Sequence, residues 1–103
     1  KSKLADGIAI LEAPRSKQIA KAIKGTGGHC VIVGDEEIRL SLRELRRFGF
    51  IVEPTSAVAY AALGKSMEMG FVKPGDRVLL PLTGSGLKMI DELVELRKGE
   101  NLR

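Results

Sequence analysis

Val78-Leu79-Leu80-Pro81-Leu82 runs directly into Thr83-Gly84-Ser85-Gly86. From Leu87 an amphipathic pattern takes over, with Leu87, Ile90, Leu93 and Val94 on one face and Lys88, Asp91, Glu92 and Glu95 on the other. This order predicts a strand, a glycine-rich turn and a helix reaching Lys98. A turn of that polarity points backbone N–H groups and the positive end of a helix dipole beyond the carboxyl end of the strand, beside the hydroxyls of Thr83 and Ser85. Such a turn is a place to hold a polar or anionic small molecule. The same two hydroxyls also suit helix capping.

Upstream, short apolar runs alternate with helical patterns, which predicts an α/β fold: a layered parallel-sheet sandwich with flanking helices. Gly7 to Leu11 reads as the first strand. After Pro14, Ser16 is placed to cap a helix running to Lys24, with Ile19, Ala20 and Ile23 on one face, and Gly25-Thr26-Gly27-Gly28 ends it. Cys30 to Val33 reads as a second strand. Asp35 then stands at the N-cap of a helix with Glu36 and Glu37 in its first turn, and Ile38, Leu42 and Leu45 form its buried stripe. Phe50-Ile51-Val52 is a short extended piece ending at Glu53-Pro54. Pro54 opens a helix that continues through Leu63 almost without polar interruption, so that helix is expected to be buried on most sides. Lys73-Pro74-Gly75-Asp76 is a turn ahead of the last strand.

Composition narrows the function classes. A chain of 103 residues with 44% apolar content suits a single globular domain, 1–103. Its net charge of +4 is dispersed rather than gathered into a tail. One Tyr, three Phe and no Trp, with no recognition motif, weigh against nucleic acid as a partner. One cysteine excludes an internal disulfide framework and a cysteine-rich metal site, in keeping with a reducing, cytoplasmic location. No apolar run approaches the length of a membrane span, which is about 20 residues. The chain opens Lys1-Ser2-Lys3-Leu4 with no initiator methionine, as a segment of a longer chain would.

Two glycine-rich turns compete as ligand sites, and direction separates them. Gly25-Thr26-Gly27-Gly28 leaves a helix and enters a strand, so capping is its expected role. Thr83-Gly84-Ser85-Gly86 lies at the carboxyl end of a strand, where open α/β sheets gather their ligands. The turn is not a Walker A loop, and Met89 stands where a dinucleotide fingerprint would place its third glycine. His29 has no partner at metal-ligand spacing and reads as structural or surface. Cys30 is expected to be a buried strand residue. Arg39, Arg43, Arg46 and Arg47 form a basic stripe that reads as a solvated helix face.

Glu53-Pro54-Thr55-Ser56-Ala57, a small-residue helix, and then Gly75 through Lys88 with Thr83-Gly84-Ser85-Gly86-Leu87-Lys88 together resemble the C-terminal part of threonine synthases. Ala5-Asp6-Gly7-Ile8-Ala9 and Val33-Gly34-Asp35-Glu36-Glu37-Ile38 extend the resemblance over most of the chain. Threonine synthases belong to the tryptophan-synthase-like class of pyridoxal-phosphate enzymes, which convert O-phosphohomoserine and water to threonine and phosphate. The resemblance implies that Thr83 meets the pyridine nitrogen of the cofactor and that Gly84 and Gly86 let the backbone pass close to the ring. It also places Ser85, Glu53 and Ser56 at the same cleft. The lysine that forms the Schiff base and the glycine-rich phosphate cup come, in this family, from regions preceding Lys1, and Lys88 in the last helix reads as a surface lysine. The resemblance therefore implies one wall of an active site, without catalytic residues of its own. The implied partner is the N-terminal part of such an enzyme, and apolar surface left uncovered by that part is expected to drive self-association, including homodimers. A related threonine or serine dehydratase and a non-catalytic binding module for a small anion are the alternatives.

Overall fold

The computed structural model describes residues 14–85. They form three helices, α1 (Ser16–Thr26), α2 (Asp35–Arg47) and α3 (Pro54–Glu68), and one isolated antiparallel bridge between Val52 and Ser85. The expected strand from Gly7 to Leu11, the last helix, Gly86 and Lys88 all lie outside the described residues.

Local chemistry explains where each helix begins and ends. At α2, Gly34 rather than Asp35 is the N-cap; its extended backbone lets its N–H donate to Glu37 Oε2 at 2.6 Å. Asp35, Glu36 and Glu37 fill the first turn and Arg46 and Arg47 the last, each sign facing the favourable end of the helix dipole. Ser16 likewise is the first helical residue of α1 and not its cap, a position that Arg15 holds. Pro54 opens α3 at the one place where its missing N–H costs nothing. All three helices stop alike, at a left-handed glycine followed by a residue whose N–H returns five positions. Gly28 N–H donates to Ile23 O at 2.9 Å, Phe50 N–H to Leu45 O at 2.9 Å and Phe71 N–H to Ser66 O at 2.9 Å, after Gly27, Gly49 and Gly70 with φ of 69°, 89° and 80°.

The core is the seam between α2 and α3. Ile38, Leu42 and Leu45 from α2 meet Ala57 of α3 and Val52 of the preceding segment, with Val33, Val58, Tyr60 and Leu82 packed around them. Two polar links flank the seam: Lys65 Nζ lies 3.2 Å from Glu37 Oε1, and Tyr60 OH donates to Glu44 Oε2 at 3.0 Å. Gly34 N–H first, and then Lys65, hold the Glu37 carboxyl below its ordinary range. Burial first, and then the Glu44 carboxylate, push the Tyr60 hydroxyl up. Ser41, although buried, donates to Glu37 O at 2.8 Å.

Beyond the two caps, the sequence expectation departs from the structure at the strands and at Cys30. No ladder of paired strands forms among the described residues. The expected strands Cys30 to Val33 and Val78 to Leu82 have no neighbour here to bond with, and Ile32 and Leu79 stand 85% and 93% exposed. Cys30 is exposed, at the edge of an open groove lined by Ala20, Lys21, Ile23, Lys24 and Gly25, because the strand expected to bury it is not laid against a sheet. Every residue of α3 from Pro54 to Leu63 is buried or half-buried, as expected of that stretch, and the helix runs on past it to Glu68 with Gly64, Met67 and Glu68 exposed. On α1, none of Ile19, Ala20 and Ile23 is buried among the described residues. His29, read from the sequence as structural or surface, is exposed, with its ring stacked on Phe71 at a centroid distance of 3.9 Å. Among the described residues no helix is long and apolar enough to cross a membrane.

Ile38 is 1% exposed at the centre of the seam. Ile38→Ala is expected to cost about 2–5 kcal/mol in urea unfolding. The Glu37 pair has a pH signature: its folded pKa lies below the ordinary 4.5, so its contribution is complete above that pH and is lost as pH falls through the folded value. Stability measured against pH should show this acid limb, and Glu37→Gln should flatten it.

Candidate functional site

The start of α3 and the glycine turn meet. Leu82 packs against the core, Ser85 pairs with Val52 across the isolated bridge, and the stretch between them is thereby pressed onto the first turn of α3. Glu53, the N-cap of α3, donates its N–H to Gly84 O at 3.1 Å. In return, Gly84 N–H donates to Ser56 Oγ at 2.6 Å, across 28 positions of sequence. Ser56 Oγ also lies 3.5 Å from Thr83 Oγ1. Ser56 is 3% exposed, whereas the Thr83 side chain faces outward. An inward hydroxyl thus supports an outward one.

Five residues singled out in the sequence, Glu53, Ser56, Thr83, Gly84 and Ser85, therefore come together; the sixth, Gly86, lies outside the described residues. Gly84 has a reason within the chain for carrying no side chain. A Cβ there would come within 2.7 Å of Glu53 Cγ and closer still to its carboxylate. The close approach that Gly84 permits in this structure is to Glu53. Sequence reasoning missed the inward bond from Gly84 to Ser56 because nothing in the local pattern sets residue 56 against residue 84. It missed Lys65–Glu37 for the same reason.

The remaining candidates stand apart. Among the described residues no group of His, Cys, Asp and Glu is arranged to hold a metal ion. Arg39, Arg46 and Arg47 are exposed, and Arg39 pairs with Glu36 one turn away on α2. Chemically, the cluster offers an exposed hydroxyl on a fixed backbone, backed by a buried hydroxyl and a helix N-terminus.

Residues 1–84 match the pyridoxal-phosphate dependent enzyme family, which is most of the 103 residues. The chain belongs to that family. Among curated members it is similar to the threonine synthase of Methanocaldococcus jannaschii, 35% identical over 92 residues, a match covering 88% of this chain and 23% of that protein. It is also similar to the threonine synthase of Methanosarcina acetivorans, 35% identical over 86 residues, covering 82% of this chain and 21% of that protein. A shorter match, 46% identical over 44 residues, covers 43% of the chain and 10% of the cysteate synthase of Methanosphaerula palustris. The chain thus spans less than a quarter of the length of these relatives.

The fit of Gly84 over Glu53 can be measured. Gly84→Ala is expected to destabilise the chain by about 1–3 kcal/mol, because the added methyl overlaps the Glu53 side chain. Combined with Glu53→Ala the loss should shrink, giving a coupling energy of at least about 0.5 kcal/mol in a double-mutant cycle.

Proposed function

We propose that this chain forms the pyridine-ring wall of the cofactor site in an enzyme of the threonine synthase type, whose reaction takes O-phosphohomoserine and water to threonine and phosphate. The observation that carries this reading is the convergence of Glu53 and Ser56 with Thr83 and Gly84, two elements 27 and 28 positions apart joined by direct hydrogen bonds. The residues present suit the ring side of the cofactor, because a small outward hydroxyl held by a buried one is a neutral partner for a ring nitrogen. Pyridoxal phosphate, when bound, supplies an electron sink for the bonds at the α-carbon of an amino acid.

This chain's residues have simpler tasks. Thr83 would hydrogen-bond the ring nitrogen. As a neutral hydroxyl it does not force a proton onto that nitrogen, which tempers the sink in a way that suits elimination and replacement at the β-carbon. Gly84 and Ser85, tied to Glu53 and Val52, keep Thr83 in place, and Gly86 continues the turn. The similarity to both threonine synthases and a cysteate synthase suggests that this wall is common to enzymes of different products, with substrate choice made elsewhere.

The Schiff-base lysine and the phosphate cup belong, on this reading, to the N-terminal part of the enzyme, so the isolated chain has no turnover. Residues 1–103 act as one unit of the tryptophan-synthase-like fold, in the cytoplasm, without nucleic-acid or membrane partners. The segments around Ile32 and Leu79, which pair with no strand among the described residues, complete their sheet within the whole enzyme. Until then their apolar side chains favour self-association, including homodimers.

The test is Thr83→Val in the enzyme that carries this segment. Loss of one neutral hydrogen bond to the cofactor is expected to lower kcat about tenfold and to shift the absorbance of the bound cofactor. An unchanged spectrum with unchanged turnover would remove Thr83 from the site.

A further inference from the structure

Glycine differs from every other residue in the space a Cβ would take, so a close approach that needs glycine comes from that side. At Gly84 that space is filled. Glu53 Cγ lies 2.7 Å from where the Cβ would stand, with Cδ and Oε1 closer still. The Glu53 backbone is held in place: its N–H donates to Gly84 O at 3.1 Å, and its O accepts the N–H groups of Ser56 and Ala57 at 2.9 and 3.2 Å. Its side chain is used differently. Glu53 is the N-cap of α3, yet its carboxylate makes no capping bond to that helix and reaches across to Gly84 instead. The residue is half-buried, so solvent borders it, and rotation about its own side-chain bonds carries it clear with the backbone unmoved.

We propose that the Glu53 side chain is a plug over this turn: it occupies the place where a flat ligand ring would lie against Gly84, and it swings out before the ring can enter. The proposal rests on the reading of the turn as the ring side of a cofactor site, and adds to it a closed state and the residue that makes it. Carbon atoms of the side chain fill the space along with the oxygen, so bulk closes the site and a neutral glutamine would close it equally. The backbone supports the same picture. Gly84 N–H is turned inward onto Ser56 and Gly84 O onto Glu53, which keeps the turn in its site-forming shape while the plug is in. The apparent affinity of such a site is its intrinsic affinity scaled by the fraction of time it stands open.

The experiment is a titration of the isotope-labelled full chain with pyridoxine phosphate, whose ring is flat and which has no aldehyde to react with lysines. It is followed at the Gly84 amide and at the Glu53 side-chain carbons. In the native chain both sets of signals are expected to move with one half-saturating concentration, because the ring enters as the side chain leaves. Glu53→Ala should lower that concentration about five- to tenfold, as for a site open about a tenth to a fifth of the time. Glu53→Gln should leave it near the native value. Glu53→Ala removes no capping bond and keeps the N–H that Gly84 O accepts, and the native side-chain signals test the plug with no substitution at all. Equal half-saturation of the native and Glu53→Ala chains would overturn the plug and leave the site standing. Weaker binding by Glu53→Ala would do the same, by making Glu53 a contact of the ligand. A Glu53→Gln chain that binds as Glu53→Ala does would overturn closure by bulk. Gly84 signals that respond in none of the three chains would overturn the reading of the turn as a cofactor wall, and the plug with it.

Discussion

The bond from Glu53 N–H to Gly84 O holds two distant pieces of chain in register, and the site geometry follows from it. Glu53 is the N-cap of α3, so its N–H points away from the helix and is open to a partner outside it. Gly84 takes that N–H and returns its own to Ser56, three residues further along. The reciprocal pair fixes the backbone on both sides of Gly84, directly after Thr83. Absence of a Cβ at Gly84 is the steric condition for this, since the Glu53 side chain occupies the space one would need.

That junction is built on the α2–α3 seam. Ile38, Leu42 and Leu45 recur at helical spacing and give α2 one continuous apolar side, against which Ala57 brings the α3 backbone close. Val52 and Leu82, the residues flanking the two site elements, lie on the same core. Packing energy from the seam is thereby transmitted to polar groups that have little cohesion of their own. The outer links, Lys65 to Glu37 and Tyr60 to Glu44, set how α3 lies along α2 without entering the apolar contact.

Much of this was legible in the chain because it is written in local patterns. The period of Ile38, Leu42 and Leu45, Pro54 at a helix start, and the glycine that ends α1 each depend on neighbours within a turn or two. Reading Asp35 and Ser16 as caps missed by one residue: extended Gly34 holds the cap of α2, with its N–H bonded to the Glu37 side chain, and Arg15 holds that of α1 without a side-chain cap bond. The strands at Cys30 to Val33 and Val78 to Leu82 were a different matter. Apolar β-branched runs show that a segment favours extension, but a strand exists only when another lies beside it, and the described residues contain no such neighbour for either. Cys30 was misjudged with them, since burial of that thiol depends on the sheet. Glu53, Ser56, Thr83 and Gly84 were each visible as motif residues. Their hydrogen bonds were not, because a separation of 28 positions carries no periodic signal.

The His29–Phe71 ring stack closes the chain just outside the α2–α3 pair, from the loop after α1 to the loop after α3. The Val52–Ser85 bridge closes it a second time, by way of the segment that follows. The first clasp thus encloses α2 and α3 and the second encloses α3 alone, while α1 lies ahead of both with no buried residue among the described residues. Structure loosens in contiguous blocks set by how many buried contacts each shares with the rest. α1 is consequently a separate opening unit that exchanges its amides early, and the clasped pair, with Thr83 riding on it, opens as a single block.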